Sequence, residues 1–257
     1  MLSKLFSLLK SNATTDWKIE DFSGIDQLHL GGMPATLALL EWLPSDAKQG
    51  LDIGCGLGGT SRVLCSTRAC NMQGLDLNEQ YIKAAKLINK LTQPQAQCQY
   101  VVGNSLYLPF AKHSFDFVIS QHACMNIAQK QRLLQGLFNV IKPQGQLLLH
   151  EIMLGPQAVE ADVLYPTPWA QNKDESHLCD WHSFAQFAIT AGFKIEHFNE
   201  HSEAALAWIK QTRLQTSNSP FTPTLVLGSS APLMSRNLAH NITAGALQVV
   251  SVCLRKA

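Results

Sequence analysis

The feature that most constrains this chain is a regular alternation between residues 50 and 152. Short apolar runs that suit buried strands alternate there with longer segments whose apolar residues follow helical spacing. Strands and helices that alternate in this way form βαβ units, which build a parallel sheet covered by helices. Five runs predict strands: Gly50–Gly54, Met72–Leu77, Gln99–Gly103, Phe115–Gln121 and Gln146–Ile152. The sequence therefore predicts an α/β fold whose sheet contains five parallel strands in this region.

Cap and stop signals place the remaining elements. Asn78 predicts the N-cap of one helix, and Pro143-Gln144-Gly145 is interpreted as the turn that ends a second helix. The irregular stretch Leu154–Asp180 is long enough to favour a lid. Towards the end of the chain the pattern predicts a helix at His182–Ala191, a strand at Phe193–Phe198, a helix at Ser202–Gln215, a Pro/Ser-rich connection through Pro220, Pro223 and Pro232, and a strand at Leu247–Leu254.

Length and composition favour one domain that acts on a small molecule. A chain of 257 residues with 46% hydrophobic residues fits a single α/β domain with insertions. We divide it into an N-terminal helical cap (1–45), a cofactor-binding core (46–152), a lid insertion (153–181) and the C-terminal part of the sheet (182–257). The formal charge of +1 offers no basic stripe for nucleic acid or an anionic membrane. We therefore expect a small-molecule partner.

Cysteine usage and the first residues favour a cytoplasmic protein. The seven cysteines are odd in number and form no CxxC pair, so we interpret them as reduced thiols. Residues 1–10 are better explained as a short amphipathic helix than as a signal peptide, because Ser7 and Lys10 interrupt the apolar stretch. No run approaches the roughly 18 apolar residues that a membrane-spanning helix needs.

A glycine-rich loop follows the first predicted strand, in Leu51–Thr60. Its glycines permit positive φ and let a ligand approach the backbone closely. The next strand ends near Asp76, whose carboxylate can accept hydrogen bonds from ribose hydroxyls. Gly54, Gly56 and Gly59 also satisfy the G-x-G-x-x-G pattern of dinucleotide sites. Glycine spacing alone therefore leaves a nicotinamide enzyme open.

The acid before the first glycine separates these alternatives. Asp52-Ile53-Gly54-Cys55-Gly56-Leu57-Gly58 resembles motif I of class I S-adenosylmethionine-dependent methyltransferases. Other segments resemble the same family in its order: Gly103–Phe110 its adenine-binding segment, Ser114–His122 its fourth strand, and Lys142–Gly145 its Lys-Pro-Gly-Gly turn. The segments Asp26–Gly32 and Gln121–Ile127 are similar to the corresponding segments of a bacterial group of proteins related to sarcosine and dimethylglycine N-methyltransferases. The resemblance implies a Rossmann-like three-layer sandwich with a mostly parallel seven-stranded sheet and an antiparallel last strand.

The resemblance also implies S-adenosylmethionine as cofactor and S-adenosylhomocysteine as product. Asp52 is expected to bind the amino group directly or through water, with a role in holding the loop as the alternative. Asn104 stands where the family usually has an acid, and its carbonyl oxygen can still accept a bond from the adenine amino group. The expected cofactor-binding residues are Gly31, Gly32, Asp52, Gly54, Gly56, Gly58, Asp76, Leu77, Asn104, Ser105 and Gln121.

Methyl transfer needs alignment of an acceptor and, for some acceptors, removal of a proton. His122, at the end of the fourth strand, is the predicted catalytic base, with a structural role beside Asn126 as the alternative. The residues expected to bind the acceptor are His29, Met125, Asn126, Tyr165 and Trp169. The four aromatic residues Trp17, Tyr165, Trp169 and Trp181 could surround a methylated ammonium group or cover a flat ring. His177, Cys179 and His182 match no common zinc module, so no metal is expected.

The sequence thus favours an enzyme that methylates nitrogen or oxygen of a small molecule. Carbon methylation of a quinone or lipid-like ring is the nearest alternative, followed by a cofactor-binding regulatory protein without catalysis and by a nicotinamide oxidoreductase. An amine acceptor predicts an electronegative aromatic pocket, whereas a quinone or lipid predicts an apolar one. The acceptor, the number of methyl groups and the oligomeric state are left open, with a homodimer as one arrangement to test.

Overall fold

The computed structural model describes residues 2–11, 16–93, 97–214 and 219–257, and within them the main element is a seven-stranded sheet. The strands lie in the order β3-β2-β1-β4-β5-β7-β6. Their bounds are β1 (Gln49–Ile53), β2 (Asn71–Asp76), β3 (Cys98–Val102), β4 (Phe115–Gln121), β5 (Ile141–Leu154), β6 (Phe193–Glu200) and β7 (Leu247–Lys256).

The direction of the strands confirms the predicted fold class. β1 pairs in parallel with β2 on one side and with β4 on the other, and β3 and β5 extend the parallel part. β7 runs antiparallel to both β5 and β6. The chain therefore moves outward from β1 in two directions, which opens a crevice beside the carboxyl ends of β1 and β4.

Ten helices of the described residues accompany the sheet. They are α1 (Ser3–Ser11), α2 (Ser23–Asp26), α3 (Gly32–Leu40), α4 (Gly59–Thr67), α5 (Glu79–Thr92), α6 (Lys130–Val140), α7 (Trp181–Ala191), α8 (Ser202–Leu214), α9 (Thr224–Leu227) and α10 (Ala231–Thr243). The side chain of Asn78 accepts hydrogen bonds from the backbone of Gln80 and Tyr81, which confirms the predicted N-cap of α5.

Alternate residues of the central strands bury against helices on opposite faces. On one face, Leu147 and Leu149 pack in a cluster with Leu133 of α6 and Phe184 of α7. On the other face, Leu148 packs in a cluster with residues of α3 and α4. Because successive side chains of a strand point to opposite faces of the sheet and helices cover both faces, the elements form the predicted three-layer sandwich.

The start of β5 differs from the prediction. The sequence places a turn at Pro143-Gln144-Gly145 and starts the strand at Gln146, whereas β5 already begins at Ile141. Phe115 pairs with Ile141 and Phe117 with Gln146, so the turn residues form an irregularity in the strand pairing. Gln144 adopts a φ of +64°, which lets the extra residues bulge without ending the strand.

The Pro/Ser-rich connection contains two helices, α9 and α10, that the sequence analysis missed. α10 occupies residues that were interpreted as irregular, and Pro232 stands in its first turn. Proline is tolerated at that position because the first helical N–H groups have no partner within the helix. The predicted helix Ser202–Gln215 is confirmed as α8 up to Leu214, and Gln215 lies outside the described residues.

Residues from distant parts of the chain form one apolar cluster outside the sheet. Leu5 and Leu9 of α1 and Phe22 are buried with Phe221, beside the α5 residue Ile88. The rings of Phe22 and Phe221 lie 4.7 Å apart. The cluster joins residues near both ends of the chain over α5.

The remaining composition predictions concern membranes and thiols. None of the helices in the described ranges combines the length and the apolar character needed to span a membrane. All seven cysteines are free thiols, and five of them are buried.

Candidate functional site

A cavity of about 580 Å³ lies at the carboxyl ends of β1, β2 and β4. Residues from the glycine-rich loop, the residues following β2 and β3, and the region before α3 line one half of it. Residues following β4, together with Trp169 and Leu238 of α10, line the other half, and Val226 and Leu227 of α9 line the wall beside Ile25. Open α/β sheets bind ligands in this crevice, where strand order reverses.

The glycines of the loop serve different purposes. Gly56 has a φ of +53°, and a Cβ there would meet nothing within 4 Å, so its backbone opens onto free space beside the cavity. A Cβ on Gly58 would lie 2.4 Å from the Tyr100 ring, and one on Gly54 would lie 2.4 Å from the Cβ of Ala123. Gly54 and Gly58 are therefore required by packing, whereas Gly56 leaves room for a ligand.

Asp76 stands at the end of β2 and lines the same cavity. Its two carboxylate oxygens accept hydrogen bonds from the backbone N–H groups of Gly56, at 2.9 Å, and Asn78, at 2.8 Å. These bonds fix the carboxylate and leave lone pairs that a pair of ribose hydroxyls can use. Beside it, Leu77 is 72% exposed and offers an apolar surface at the rim of the cavity.

Asp52 is a buried acid whose charge has little compensation. Its Oδ2 accepts a hydrogen bond from the Ser61 hydroxyl at 2.7 Å. Burial raises the pKa of Asp52 to about 7, and the nearby Asp76 adds to this effect, although the bond from Ser61 opposes it. A cationic ammonium group in the cavity would relieve this unfavourable environment.

Gln121 supplies a hydrogen-bond donor with no partner. Its Oε1 accepts a bond from the hydroxyl of Thr60 at 2.8 Å and lies 3.1 Å from that of Thr36. Its Nε2 is buried and has no partner among the described residues. An unpaired buried donor costs free energy, so a ligand oxygen at this position would be favourable.

The segment after β3 contributes Asn104 and Ser105 to the cavity lining. Asn104 is exposed, and its Oδ1 accepts a bond from the backbone N–H of Leu106 at 2.9 Å. Its carbonyl oxygen therefore helps to form a turn. A carbonyl oxygen has two lone pairs, and the second can still accept from an adenine amino group.

Three histidines lie close together, two of them in the cavity wall and the third behind it. The ring of His122 stacks on that of His150 with centroids 5.2 Å apart and planes 10° apart, and His29 lies 6.1 Å from His122. His122 and His29 line the cavity. Burial, together with the neighbouring His150 and His29, holds the pKa of His122 well below its usual value. This shift favours the neutral ring, whose free nitrogen lone pair can accept a proton from an acidic group, and it also makes the ring a weak base.

The other half of the cavity is mainly apolar. Met125 and Asn126 line it as predicted, and so does Trp169, whose Nε1–H donates to Ser176 Oγ at 3.1 Å. The lining residues with apolar side chains on this side are Ile127, Ala128, Ile152, Pro168 and Leu238. The lining thus contains one tryptophan on this side and no aromatic cage among the described residues.

Some predicted site residues lie outside the cavity lining. Gly31 and Gly32 form the start of α3, and Gly58 packs under Tyr100. Tyr165 packs in an apolar cluster with α8 and α10, and its hydroxyl lies 3.4 Å from Glu160. Trp17 and Trp181 pack instead against Phe221 and Phe198, respectively. Ligand contact by Gly31, Gly32, Gly58 and Tyr165 remains a prediction.

The sequence analysis missed a buried ion pair beside the cavity. Arg62 of α4 is completely buried and donates hydrogen bonds to Asp26 and to Tyr100 Oη. Tyr100 Oη in turn donates to the carbonyl of Gly58 at 3.1 Å. Asp26 lines the cavity, so the pair ties the N-terminal segment to the glycine-rich loop.

Other missed lining residues are Ile25, Leu28, Thr60, Tyr81, Val226, Leu227 and Leu238. Thr60 directly follows the glycine motif, and this position could have indicated its role. Leu28 lies within the family-like segment Asp26–Gly32, and the others come from segments without a motif. Among the described residues, no group of three or more His, Cys, Asp or Glu side chains is arranged to hold a metal ion.

Comparison with known families is consistent with this geometry. Residues 51–149 match a family model described as a methyltransferase domain. The chain is 34% identical over 101 residues to 24-methylenesterol C-methyltransferase 2 from Arabidopsis thaliana, a match that covers 39% of this chain and 28% of that protein. The chain therefore spans less than a third of this relative's length.

Solved structures share the fold across most of the chain. Phosphoethanolamine N-methyltransferase 2 from Haemonchus contortus, in complex with phosphomonomethylethanolamine and S-adenosylhomocysteine, has a TM-score of 0.71 and 20% identity, with 97% of this chain and 60% of that chain covered. A candidate sarcosine dimethylglycine methyltransferase from Galdieria sulphuraria has a TM-score of 0.68 and 19% identity, with 87% and 82% covered. At these identities the likeness concerns the fold.

Proposed function

We propose that this chain is a class I S-adenosylmethionine-dependent methyltransferase. Its acceptor in this proposal is a small, mainly apolar molecule with an ionisable hydroxyl. The observation that carries this proposal is the composition of the cavity. One half contains the glycine-rich loop, the Asp76 carboxylate, which can bind ribose hydroxyls, and the unpaired Nε2 of Gln121. The other half contains apolar side chains around the neutral ring of His122.

The described residues fit the cofactor. Asp76 would bind the ribose hydroxyls, Leu77 and Asn104 would contact the adenine, and Gly56 would let the backbone approach. Asp52 would lie near the amino group, and Gln121 would donate to the carboxylate of the methionine part. The unpaired Nε2 of Gln121 and the open space at Gly56 support this arrangement. When bound, S-adenosylmethionine supplies an electrophilic methyl group.

The charges around the cavity favour a neutral acceptor over an amine. The three carboxylates in its described lining are Asp26, Asp52 and Asp76, and all belong to the half formed around the glycine-rich loop. Asp26 is already paired with Arg62. The acceptor half therefore offers no carboxylate, among the described residues, to stabilise an ammonium group, and its apolar walls suit a phenol, a hydroquinone or a similar ring.

In this proposal, the chain aligns the acceptor, excludes water and removes one proton. Trp169 and Leu238 would cover the acceptor, and the neutral His122 ring would take the proton of its hydroxyl. The oxygen or, in a hydroquinone, a ring carbon would then form a bond to the methyl carbon while the bond from that carbon to sulfur breaks and S-adenosylhomocysteine leaves. After attack through carbon the ring proton would move to the oxygen, so that one proton is lost overall in both cases. Attack through oxygen and attack through carbon both begin with removal of the hydroxyl proton by the same base. The geometry therefore supports a class of acceptor, those with an ionisable hydroxyl, and does not select which of the two atoms is methylated.

The first test is ligand binding by calorimetry with S-adenosylhomocysteine and NADH. We expect S-adenosylhomocysteine to bind, Asp76→Ala to weaken it at least about tenfold, and Asp46→Ala, an exposed acid in the turn before β1, to leave it unchanged. Binding of NADH in place of S-adenosylhomocysteine would contradict the proposal.

The second test compares acceptors by transfer of a labelled methyl group. We expect alkyl-substituted hydroquinones and phenols to be methylated, and dimethylglycine and other small amines not to be. Mass spectrometry of the product locates the methyl on carbon or oxygen. Methylation of amines alone would overturn the assignment of the acceptor, and binding without transfer to any acceptor would favour the regulatory alternative.

A cytoplasmic location and a homodimer also remain predictions. Light scattering of the purified protein measures its oligomeric state directly.

A further inference from the structure

His150 has a place in the site that its sequence context does not reveal. It lies on β5 opposite Gln121 of β4, and it is 3% exposed. Its ring stacks on the ring of His122, which immediately follows β4. The two rings therefore form a column that runs from the cavity wall into the sheet.

The ring of His150 is fixed at both nitrogens. Its Nε2 lies 2.8 Å from the carbonyl oxygen of Leu30, which can only accept, so Nε2 carries a hydrogen and donates it. Its Nδ1 lies 2.9 Å from Ser251 Oγ, which in the neutral ring donates to Nδ1. Ser251 on β7 and Leu30 before α3 thus hold one orientation of the ring.

His122 depends on His150 for its own position. Its backbone N–H donates to the carbonyl of His150 at 2.9 Å, and its φ is +50°, a left-handed conformation that is uncommon for histidine. Its Nε2 is buried without a partner among the described residues. The orientation of the His122 ring is therefore determined by stacking, because no hydrogen bond from the described protein holds that nitrogen.

The ionisable groups around the column are mainly histidines. His29 lies 5.9 Å from His150, and His201 lies 6.1 Å from it on the other side. Glu151, next to His150, belongs to a different environment: its carboxylate accepts bonds from Ser120, Ala123 and Cys124. No carboxylate among the described residues therefore contacts His122, so its basicity is not increased as it is in a His–Asp pair.

We propose that His150 is a positioning residue that, anchored by Ser251 and Leu30, holds the neutral ring of His122 against the acceptor, and that this unassisted base selects acceptors with acidic hydroxyls. The second part rests on the proposed function. A phenol hydroxyl has a pKa near that of tyrosine, about 10, whereas alkyl alcohols are far weaker acids. Phenol-type and enol-type acceptors are therefore within reach of a histidine that lacks a carboxylate partner.

The kinetic test uses two variants of the column. His150→Phe keeps a ring for stacking but loses both hydrogen bonds, and Ser251→Ala removes one of them. We expect kcat to fall about tenfold or more in each, with KM and the affinity for S-adenosylhomocysteine changed less than about twofold. Ser251→Thr restores the hydroxyl and should recover most of kcat.

The matched control is Cys253→Ala, which shortens another buried side chain of β7 two residues further along the strand. It should lower thermal stability without a selective loss of kcat. If the Ser251 and His150 variants lose kcat, cofactor affinity and stability in parallel, the residues are merely structural and the proposal is overturned.

A spectroscopic test is independent of turnover. In protein with ¹⁵N-labelled histidine and bound S-adenosylhomocysteine, His122 should remain neutral in one tautomer between pH 5 and 8, as judged by its ring nitrogen shifts. His150→Phe removes the anchored imidazole against which His122 stacks, so the tautomers of His122 should mix and its ring nitrogen shifts should change.

The two proposals can fail separately. An altered His122 spectrum in His150→Phe without methylation of any acceptor would retain the positioning role and reject the proposed function. Methylation of phenols with an unchanged kcat and an unchanged His122 spectrum in His150→Phe and Ser251→Ala would retain the function and overturn this inference.

Discussion

Gly56 and Gly58 show how residues of one motif can differ in purpose. Both have positive φ, but only at Gly56 would an added methyl group point into open space. At Gly58 the methyl would collide with Tyr100, which also bonds to the Gly58 carbonyl. The absence of a side chain at Gly56 therefore lets a ligand approach the backbone, whereas its absence at Gly58 is needed for the fold to pack.

We expect Gly56→Ala to fold and to lose affinity for S-adenosylhomocysteine by about tenfold or more, with a stability cost of about 1 kcal/mol from the left-handed backbone. Gly58→Ala should lower the free energy of unfolding by about 3 kcal/mol, because strain and overpacking act together. Denaturant unfolding and calorimetry on both variants measure these effects. The same loss of stability in the two variants would contradict the distinction.

The raised pKa of Asp52, about 7, makes a prediction about pH. The folded protein holds this proton more tightly than the unfolded chain, so ionisation of Asp52 costs stability as pH rises from about 4 to about 7. Asp52→Asn keeps an oxygen for Ser61 and removes the charge. Its stability relative to the wild type should rise with pH in that range, by at most about 1.4 kcal/mol for each pH unit.

The check on Asp52 is chemical denaturation of both proteins at several pH values, without and with S-adenosylhomocysteine. If the ligand's ammonium group pairs with Asp52, its affinity should increase from pH 5.5 to 8 in the wild type and change less in Asp52→Asn. Parallel stability curves for the two proteins would rule out the expected ionisation of Asp52.

At the scale of residues, the motif indicated several residues that line the cavity, and their contact with a cofactor stays a prediction. Asp52, Asp76 and Gln121 line the cavity because each lies within one residue of the carboxyl end of a parallel strand, at the same edge of the sheet. His150 and the Arg62–Asp26 pair could not be predicted in the same way. Their partners are separated from them by long stretches of sequence, and only the tertiary fold brings them together.

At the scale of elements, the Asp26–Arg62 pair joins α2 to α4. Both side chains are at most 1% exposed, so each charge depends on the other for compensation. We expect Arg62→Ala to destabilise the protein by about 3–5 kcal/mol, because Asp26 is left buried and unpaired. Thermal and denaturant unfolding measure this loss.

The double variant Arg62→Met with Asp26→Asn is the control for that prediction. It removes both charges and retains most of the buried volume, so it should be clearly more stable than Arg62→Ala. A double variant that is no more stable than the single one would show that packing by the Arg62 side chain dominates over its charge.

Elements with a strong local pattern were predictable, and those defined by distant contacts were not. β4 has the predicted bounds, and α5 begins at its predicted cap. α10 was missed because Pro232 suggested an irregular connection, although the helix is stabilised by packing of Leu238 and Ile242 against the cluster beside β7. β5 begins early because pairing with β4 continues across residues with a turn-like composition.

At the scale of the whole molecule, one wall of the cavity depends on two distant segments. Ile25 and Leu28 line it from the N-terminal side, and Val226 and Leu227 line it from α9. Phe22 and Phe221 hold these segments together in the cluster over α5. Five parallel strands were predictable from βα alternation and the seven-stranded sheet from the family resemblance. This closure was not predictable, because no local pattern shows that the two segments meet.

We expect Phe221→Ala to cost about 3–5 kcal/mol of stability and to weaken S-adenosylhomocysteine binding as well, since the wall loses its support. The control is Phe184→Ala, which removes an equally buried ring from the cluster under α7 and should affect stability with little change in affinity. Unfolding and calorimetry measure both quantities. Unchanged affinity in folded Phe221→Ala would show that the wall does not depend on this contact.

The position of β7 inside the sheet affects the order in which the chain can fold during translation. β6 leaves the ribosome before residues 201–246, yet it has no partner in the sheet until β7 follows and inserts between it and β5. Until then, β5 and β6 both present unpaired edges, which are templates for association with other nascent chains. Synthesis that stalls before Leu247 should therefore yield an aggregation-prone intermediate with an incomplete sheet.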